Sequence, residues 1–279
     1  MFADSSLAAR IDRAEARLCA EYAQPPQTPG DDRASFVMPV SGGLAVYVAP
    51  GSPINKVIGL GFDAPFDVDA LAEVEARWRE RDEAVRIELS ILTDPAVART
   101  LSERGYHLHG FENVLARALD DVGDQPDVPD VAIVVVGDAE VRTWIDVAVS
   151  AFADLDGTGS VADEALTREQ LEEVMDSYPS VSGLIKYLAL IDGQPAGEAA
   201  VRIDNQLAQM AGSGTVPQFR GRGVQKALIQ RRLSDARAAG CDLAVVTTSP
   251  GTRSQDNVMR RGFELLYTRA ILIRDWRAS

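Results

Sequence analysis

"TVPQFRGRGVQKALIQRR" spans residues 215–232, and its reading decides the fold. An extended run comes before it. Two glycines and two arginines share its loop, and a helix-forming run follows at once. Backbone N–H groups at a helix start point outward without partners, and the helix dipole favours negative charge there. Gly221 and Gly223 let the backbone approach a ligand closely, while Arg220, Arg222 and Lys226 add positive charge. The segment reads as an anion site. The phosphate loop of nucleoside triphosphatases, G-x-x-x-x-G-K-[ST], is absent. The dinucleotide fingerprint needs a third glycine where Lys226 stands. It also wants an acid after the next strand, but "LAVVTT" (243–248) ends in threonines.

Working outward, a strand–helix alternation appears on both sides. Residues 7–23 have helical spacing through Leu7, Ile11, Leu18 and Tyr22. "ASFVMPV" and "GLAVYVAP" read as strands around a turn. A helix over 67–81 starts at Asp67 as N-cap, "VRIELSIL" is a strand, "PAVARTLSERGY" is a helix stopped by Gly105, and "FENVLARAL" is a strand. Past residue 130 come a strand (131–136), a helix from Glu140 to Phe152 and a second from Thr167 to about Asp176. Three successive strands lead into the opening stretch. A strand, a short helix and a last strand, "LLYTRAILIR", follow it. The acidic, proline-containing segment 121–130 lacks apolar periodicity and reads as a linker. This divides the chain into 1–120, 121–130 and 131–279.

The halves echo each other. "ERGYHLHGFENVLAR" ends one and "RRGFELLYTRAILIR" the other. One shift pairs Arg104 with Arg261, Gly105 with Gly262, Leu115 with Leu272 and Arg117 with Arg274. Repeated matches at one shift point to an internal duplication; two unrelated α/β units that end alike are the alternative.

The 279 residues are 46% hydrophobic, ample for a core, and carry a net charge of −14. Such acidity argues against nucleic acid or an anionic membrane as partner. No apolar run approaches membrane-helix length, and the first residues lack a signal-peptide pattern. A cytoplasmic protein is expected. Cys19 and Cys241, far apart, read as buried free thiols. No metal site is expected. His107 and His109 share a strand face without a companion ligand, and "DLDGTGSVADEA" (154–165) departs from a calcium loop at Thr158 and Ala165.

"VPQFRGRGVQKAL" resembles the acyl-coenzyme A loop of GNAT-type N-acetyltransferases, whose pattern [QR]-x-x-G-x-[GA] falls on Arg220, Gly223 and Gln225. Gln225 stands where that family usually has glycine or alanine. The order of elements over 131–275 and the "RRGF" near the end agree with the resemblance. It implies an α/β fold of two tandem GNAT-like domains, each a mostly antiparallel sheet flanked by helices. In the first copy the loop equivalent, "GLGFDAPFDV", carries Asp63 and Asp67 instead of arginines and is expected to bind no pyrophosphate.

The resemblance implies transfer of an acyl group from acetyl-CoA to a small amine or amino-terminal group, without a metal. It assigns cofactor contact to Thr215, Val216, Arg220, Gly221, Arg222, Gly223, Val224 and Gln225, with Ser254 and Asn257 from the following helix. A backbone N–H of the strand before the loop would polarise the thioester. The family's usual tyrosine acid is missing, since Val258 holds its position. Glu198, on a strand whose alternation can aim it into the cleft, is the candidate base. Tyr267 is the candidate acid, against the commoner role of a core tyrosine. The acids Asp154, Asp156, Asp163 and Glu164 would border the acceptor. The fused first copy would supply the wall that a second subunit gives single-domain relatives, which predicts a monomer. A CoA-binding sensor or scaffold without turnover is the alternative.

Overall fold

The structure, a computed structural model, describes residues 1–23, 35–120, 128–152 and 181–278. They form two compact units, one of Met1–Asn113 with Leu266–Ser279, the other of Val114–Leu265.

The first unit holds helix α1 (Ser5–Tyr22), strands β1 (Phe36–Val40), β2 (Gly43–Tyr47) and β3 (Lys56–Ile58), helix α2 (Val68–Arg79), strand β4 (Val85–Ser90) and helix α3 (Pro95–Glu103). Strand β5 (His107–Ala118) gives it residues up to Asn113, and β11 (Glu264–Arg274) completes it from Leu266 onward. The strand order is β1-β2-β3-β4-β11-β5. β3 and β4 are parallel, while β1–β2, β2–β3 and β4–β11 are antiparallel. Ser41 and Gly42, both at positive φ, make the two-residue turn of the first hairpin. Asp4, Asp67 and Asp94 cap α1, α2 and α3 with their carboxylates. The apolar strands β1 and β2 are covered within their own unit. Val40, Ala45 and Tyr47 bury in their own unit against Leu71, Val74 and Trp78, with Leu272 and Trp276 packed on the same core.

The second unit holds β6 (Ala132–Val135), α4 (Val141–Phe152), β7 (Leu184–Ile191), β8 (Gln194–Asp204), β9 (Leu207–Thr215), α5 (Val224–Ala238), β10 (Leu243–Thr248) and α6 (Arg253–Met259). Its strand order is β5-β10-β9-β8-β7-β6. β6 to β9 are antiparallel neighbours, and β9–β10 is parallel. Leu188, Ala199, Val201, Leu228, Ile229 and Leu233 are all buried in its interior.

The division read from sequence, 1–120 and 131–279, differs from these units at the last strand. β11 ends the second half of the sequence, yet it pairs with β4 from Arg269↔Ser90 to Arg274↔Val85 and belongs to the first unit. β5 ends the first half, and from Val114 onward it belongs to the second unit beside β10. Each half gives its final strand away. The sequence echo survives in the backbone, because Gly105 and Gly262 turn at φ +89 and +80 before these two strands. Arg104 and Arg274 converge on Glu75 in the first unit. Their counterparts in the second touch differently, with Arg117 donating to the carbonyl of Arg261.

Cys19 and Cys241 are both free and buried, and burial pushes the Cys19 thiol up to about 12. No described helix is long and apolar enough to cross a membrane. Residues 121–127 of the linker, the loop at 154–165 and the expected helix at 167–176 lie outside the described residues.

Candidate functional site

Side-chain oxygens cap α1, α2, α3 and α6, the last through Thr252. α5 has no such cap. Its N-cap is Gly223 at φ +85, which makes no side-chain cap hydrogen bond. The N–H groups of Val224, Gln225 and Lys226 are therefore directed at whatever lies before the helix. Gly221, also left-handed at φ +79, has open space where a Cβ would stand. Arg222 is exposed, its guanidinium 3.8 Å from Asp192 and over the ring of Phe219. Arg220 is half-buried. This is an anion cradle with positive charge beside it.

Two side chains of the loop face inward. Val224 is buried, and a Cβ on Gly197 would lie 2.5 Å from its Cγ1. Gln225 accepts from the Ser213 hydroxyl at 3.0 Å and donates to the Ser213 carbonyl at 3.3 Å. Both residues are thus left with their backbone N–H for a ligand. The unusual glutamine fastens the helix start to β9.

The loop of the first unit is built differently. The Asp67 carboxylate accepts from the N–H groups of Asp69 and Ala70 at 2.9 and 3.1 Å. Asp63 is paired with Arg13. At this helix start the chain's own carboxylate meets the first N–H groups.

Before α5, the strands part. β9 and β10 pair in parallel only from Leu243↔Leu207 to Val245↔Gln209. Beyond that β9 runs on to Thr215 and β10 to Thr248. The cause lies on the other side of β9. Its register with β8 slips between Ala199↔Ser213 and Ala200↔Ala211, leaving Gly212 as the extra residue at φ +47. A bulge bends a strand and raises its twist. The split exposes backbone groups along 210–215 that would otherwise bond to a neighbour. At its mouth the hydroxyls of Thr215 and Thr248 are buried and have no partner among the described residues. Val216 is anchored by its N–H to the Ala196 carbonyl at 3.0 Å.

Glu198 lies on β8 opposite Gly214 and is 0% exposed. Neither carboxyl oxygen has a side-chain hydrogen-bond partner among the described residues. Gly214 makes room for it, since a Cβ there would stand 2.5 Å from the Ala151 Cβ and 3.1 Å from Glu198 Oε1. Burial pushes the Glu198 carboxyl up to about 8, with the charge of Arg232 and the backbone N–H of Gly214 pulling the other way. A buried acid held well above the ordinary carboxylate range has the properties of a proton acceptor.

Other expected residues scatter. Ser254 is exposed and Asn257 half-buried on α6, and Val258, in the tyrosine position, is buried. Tyr267 belongs to the first unit, not to the unit that holds the loop. It is buried, its hydroxyl donates to Asp12 Oδ1 at 2.6 Å, and burial raises its pKa far above the ordinary range. We assign it no part in the site. His107 and His109 lie on β5, exposed and half-buried.

The first unit gathers a second set of charges. Carboxylate oxygens of Glu15, Glu88 and Glu112 come within 4.8 Å of one another. Cations of the chain already meet them. Lys56 binds Glu15 and Glu88, and Arg269 reaches Asp12, Glu15, Glu88 and Glu112. The arrangement is an ion network that holds β11 against α1, β4 and β5.

Two residues of the site escaped the sequence reading. Thr248 counted only as a missing acid. Arg232 closes the opening stretch and drew no reading, although it shares an i, i+4 row with Leu228 and Ala236, both buried.

Comparison with known proteins agrees with this geometry. Residues 151–263 match the model of the acetyltransferase (GNAT) family. No curated protein matches the sequence. Among solved structures, a GCN5-related N-acetyltransferase from Kribbella flavida superposes with a TM-score of 0.68 at 20% identity, over 96% of this chain and 95% of that one. A tandem GNAT protein from the clavulanic acid biosynthesis pathway gives 0.61 at 15% identity, over 99% and 97%. A GCN5-related N-acetyltransferase from Sphaerobacter thermophilus gives 0.57 at 15%, over 74% and 66%. The chain shares its fold with these structures, one of them a tandem GNAT protein.

Proposed function

We propose that this chain, which carries a domain of the acetyltransferase (GNAT) family at residues 151–263, transfers an acyl group from acetyl-CoA to a small primary amine or an amino terminus. The observation that carries the reading is one juxtaposition. An uncapped helix start with a glycine–arginine loop stands at the end of a strand pair that has split open. The cradle fits a pyrophosphate. The split and its two orphan hydroxyls fit an extended polar chain with amide groups, such as the pantetheine arm.

The residues divide the work. Backbone N–H groups from Gly221 to Gln225 hold the phosphates, and Arg220, Arg222 and Lys226 neutralise them. N–H groups of 210–215 facing the split polarise the acyl carbonyl. Glu198 takes the proton that the amine must lose. Acetyl-CoA supplies the activated acyl group and leaves as the thiol. The two buried free thiols suit a reducing compartment such as the cytoplasm.

A second reading, a CoA-binding sensor without turnover, draws on the buried Val258 in place of a tyrosine acid. Thiol release from acetyl-CoA across a panel of amines separates the two. We expect release with at least one amine. Tight binding of acetyl-CoA without release for any amine supports the sensor, and absence of binding overturns both.

A further inference from the structure

Arg232 is a buried cation in an unusual place. It is 3% exposed, in the middle of α5. Its Nε donates to the carbonyl of Leu228 one turn back, at 3.2 Å. Its Nη1 reaches the carbonyl of Ala200 on β8 at 3.1 Å and that of Gly212 on β9 at 3.4 Å. Its Nη2 is 3.4 Å from the Ser213 hydroxyl. Ala200, Gly212 and Ser213 are the residues where the β8–β9 register slips. The guanidinium thus satisfies carbonyls on both strands of the bulge, which a regular ladder would otherwise occupy. The same bulge parts β9 from β10.

Arg232 also faces a charge problem. Glu198 lies on β8 two residues from Ala200, with Leu188 of β7 and Gly214 of β9 beside it and Ala151 of α4 against Gly214. None of these carries charge. Arg232, from α5, is the charged group among the described residues that acts on Glu198. Burial draws the Arg232 pKa down to about 10, which leaves it cationic at neutral pH.

We propose that Arg232 is a positioning residue for acyl transfer, pinning the bulge that opens the β9–β10 split and keeping Glu198 able to exist as a carboxylate inside the protein. The inference rests on the reading of Glu198 as proton acceptor. In the step concerned, an N–H bond of the substrate ammonium breaks and an O–H bond forms on Glu198; the freed lone pair attacks the acyl carbon, the C–S bond breaks, and the departing thiolate takes the second proton from the new amide nitrogen to leave as the thiol. Arg232 touches neither substrate. Its charge lowers the energy of the ionised carboxyl, and without it the ionised fraction of Glu198 that can accept a proton falls further.

The test uses the full chain labelled with ¹³C at glutamate carboxyl carbons, with Glu198→Gln to identify the resonance. Wild type, Arg232→Met and Arg232→Lys are titrated by NMR, and each is checked for acetyl-CoA binding by calorimetry. We expect the Glu198 midpoint to rise by about one unit or more in Arg232→Met, roughly a tenfold change in proton affinity. Arg232→Lys, which keeps the charge but not the fork, should return it close to wild type while acetyl-CoA binding weakens several-fold. A folded Arg232→Met with an unchanged midpoint overturns the proposal. If Arg232→Met does not fold, an Arg232→Lys midpoint displaced by a full unit overturns it instead. Failure of wild type to bind acetyl-CoA sinks the transferase reading separately, because the titrations need no ligand.

Discussion

The guanidinium of Arg269 stands 2.6 Å from the carboxylate of Asp12, 257 positions earlier in the chain. Arg269 is 0% exposed and also reaches Glu15, Glu88 and Glu112. Burial works against the ionised form of Glu15, but Arg269 and Lys56 outweigh it and hold this carboxyl below its usual range. Burial and neighbouring acids push Glu112 up. Removing one partner from such a network leaves charge stranded in the core.

Arg269→Met is therefore expected to destabilise the protein by about 3–5 kcal/mol, with Arg269→Lys in between. Urea unfolding followed by tryptophan fluorescence checks this, because Trp78 and Trp276 report on the first unit. A loss below about 1 kcal/mol would show that the network contributes little.

Arg222→Glu should weaken coenzyme A binding by about ten- to hundredfold, the range expected when a charge-assisted hydrogen bond gives way to a repulsion. The side chain is exposed, so circular dichroism should match wild type. Gly223→Val is a poorer probe. Its Cβ would lie 2.7 Å from the Val128 Cγ1 at φ +85, so strain alone would lower affinity. Calorimetry with the Arg222 variant that returned wild-type affinity would remove the loop from the cofactor site.

Glu198→Gln bears on stability as well as on turnover. Folding raises the carboxyl from its ordinary 4.5 to about 8. The native state thus binds the proton more tightly than the unfolded chain does. That preference is at full strength below pH 4.5 and is lost as pH rises through about 8. The variant should show a flatter stability profile, and at pH 9 a Tm above that of wild type, by an amount corresponding to a few kcal/mol, roughly. Calorimetric scans between pH 5 and 9 read this. Parallel profiles for the two proteins would mean that Glu198 is solvated or paired.

We expect a monomer by analytical ultracentrifugation at assay concentrations. We expect the fragment 125–279 to aggregate, since it carries β11 without β4 and without the acids that meet Arg269. A soluble, fully active fragment would show that the first unit is dispensable.

What could be read from the residues was what local physics determines. The glycine–arginine loop announces itself because left-handed backbone and concentrated charge are properties of single positions. Asp67 as a cap and the strand "LAVVTT" are equally local. Glu198 was reachable because alternation along β8 places it on one face. β3 is three residues long, too short for a period to show. The destination of β11 was hidden for a different reason. Strand pairing depends on what lies across the ladder, and its residues read the same beside β4 as beside β10. Arg232 and Arg269 were illegible because a buried arginine is spelled like an exposed one. Only the carbonyls and carboxylates around it, distant in sequence, mark it as interior.

The exchange of final strands also sets an order of events during synthesis. Val114–Leu265 is one continuous stretch, so the second unit has all its parts once that stretch has left the ribosome. The first unit does not. Its opening 113 residues emerge before that stretch but lack Arg269, which meets Asp12, Glu15, Glu88 and Glu112, until Leu266–Arg274 follows. The unit whose synthesis begins earlier of the two is thus the later to have all its parts, since its acids wait for Arg269 until β11 is made.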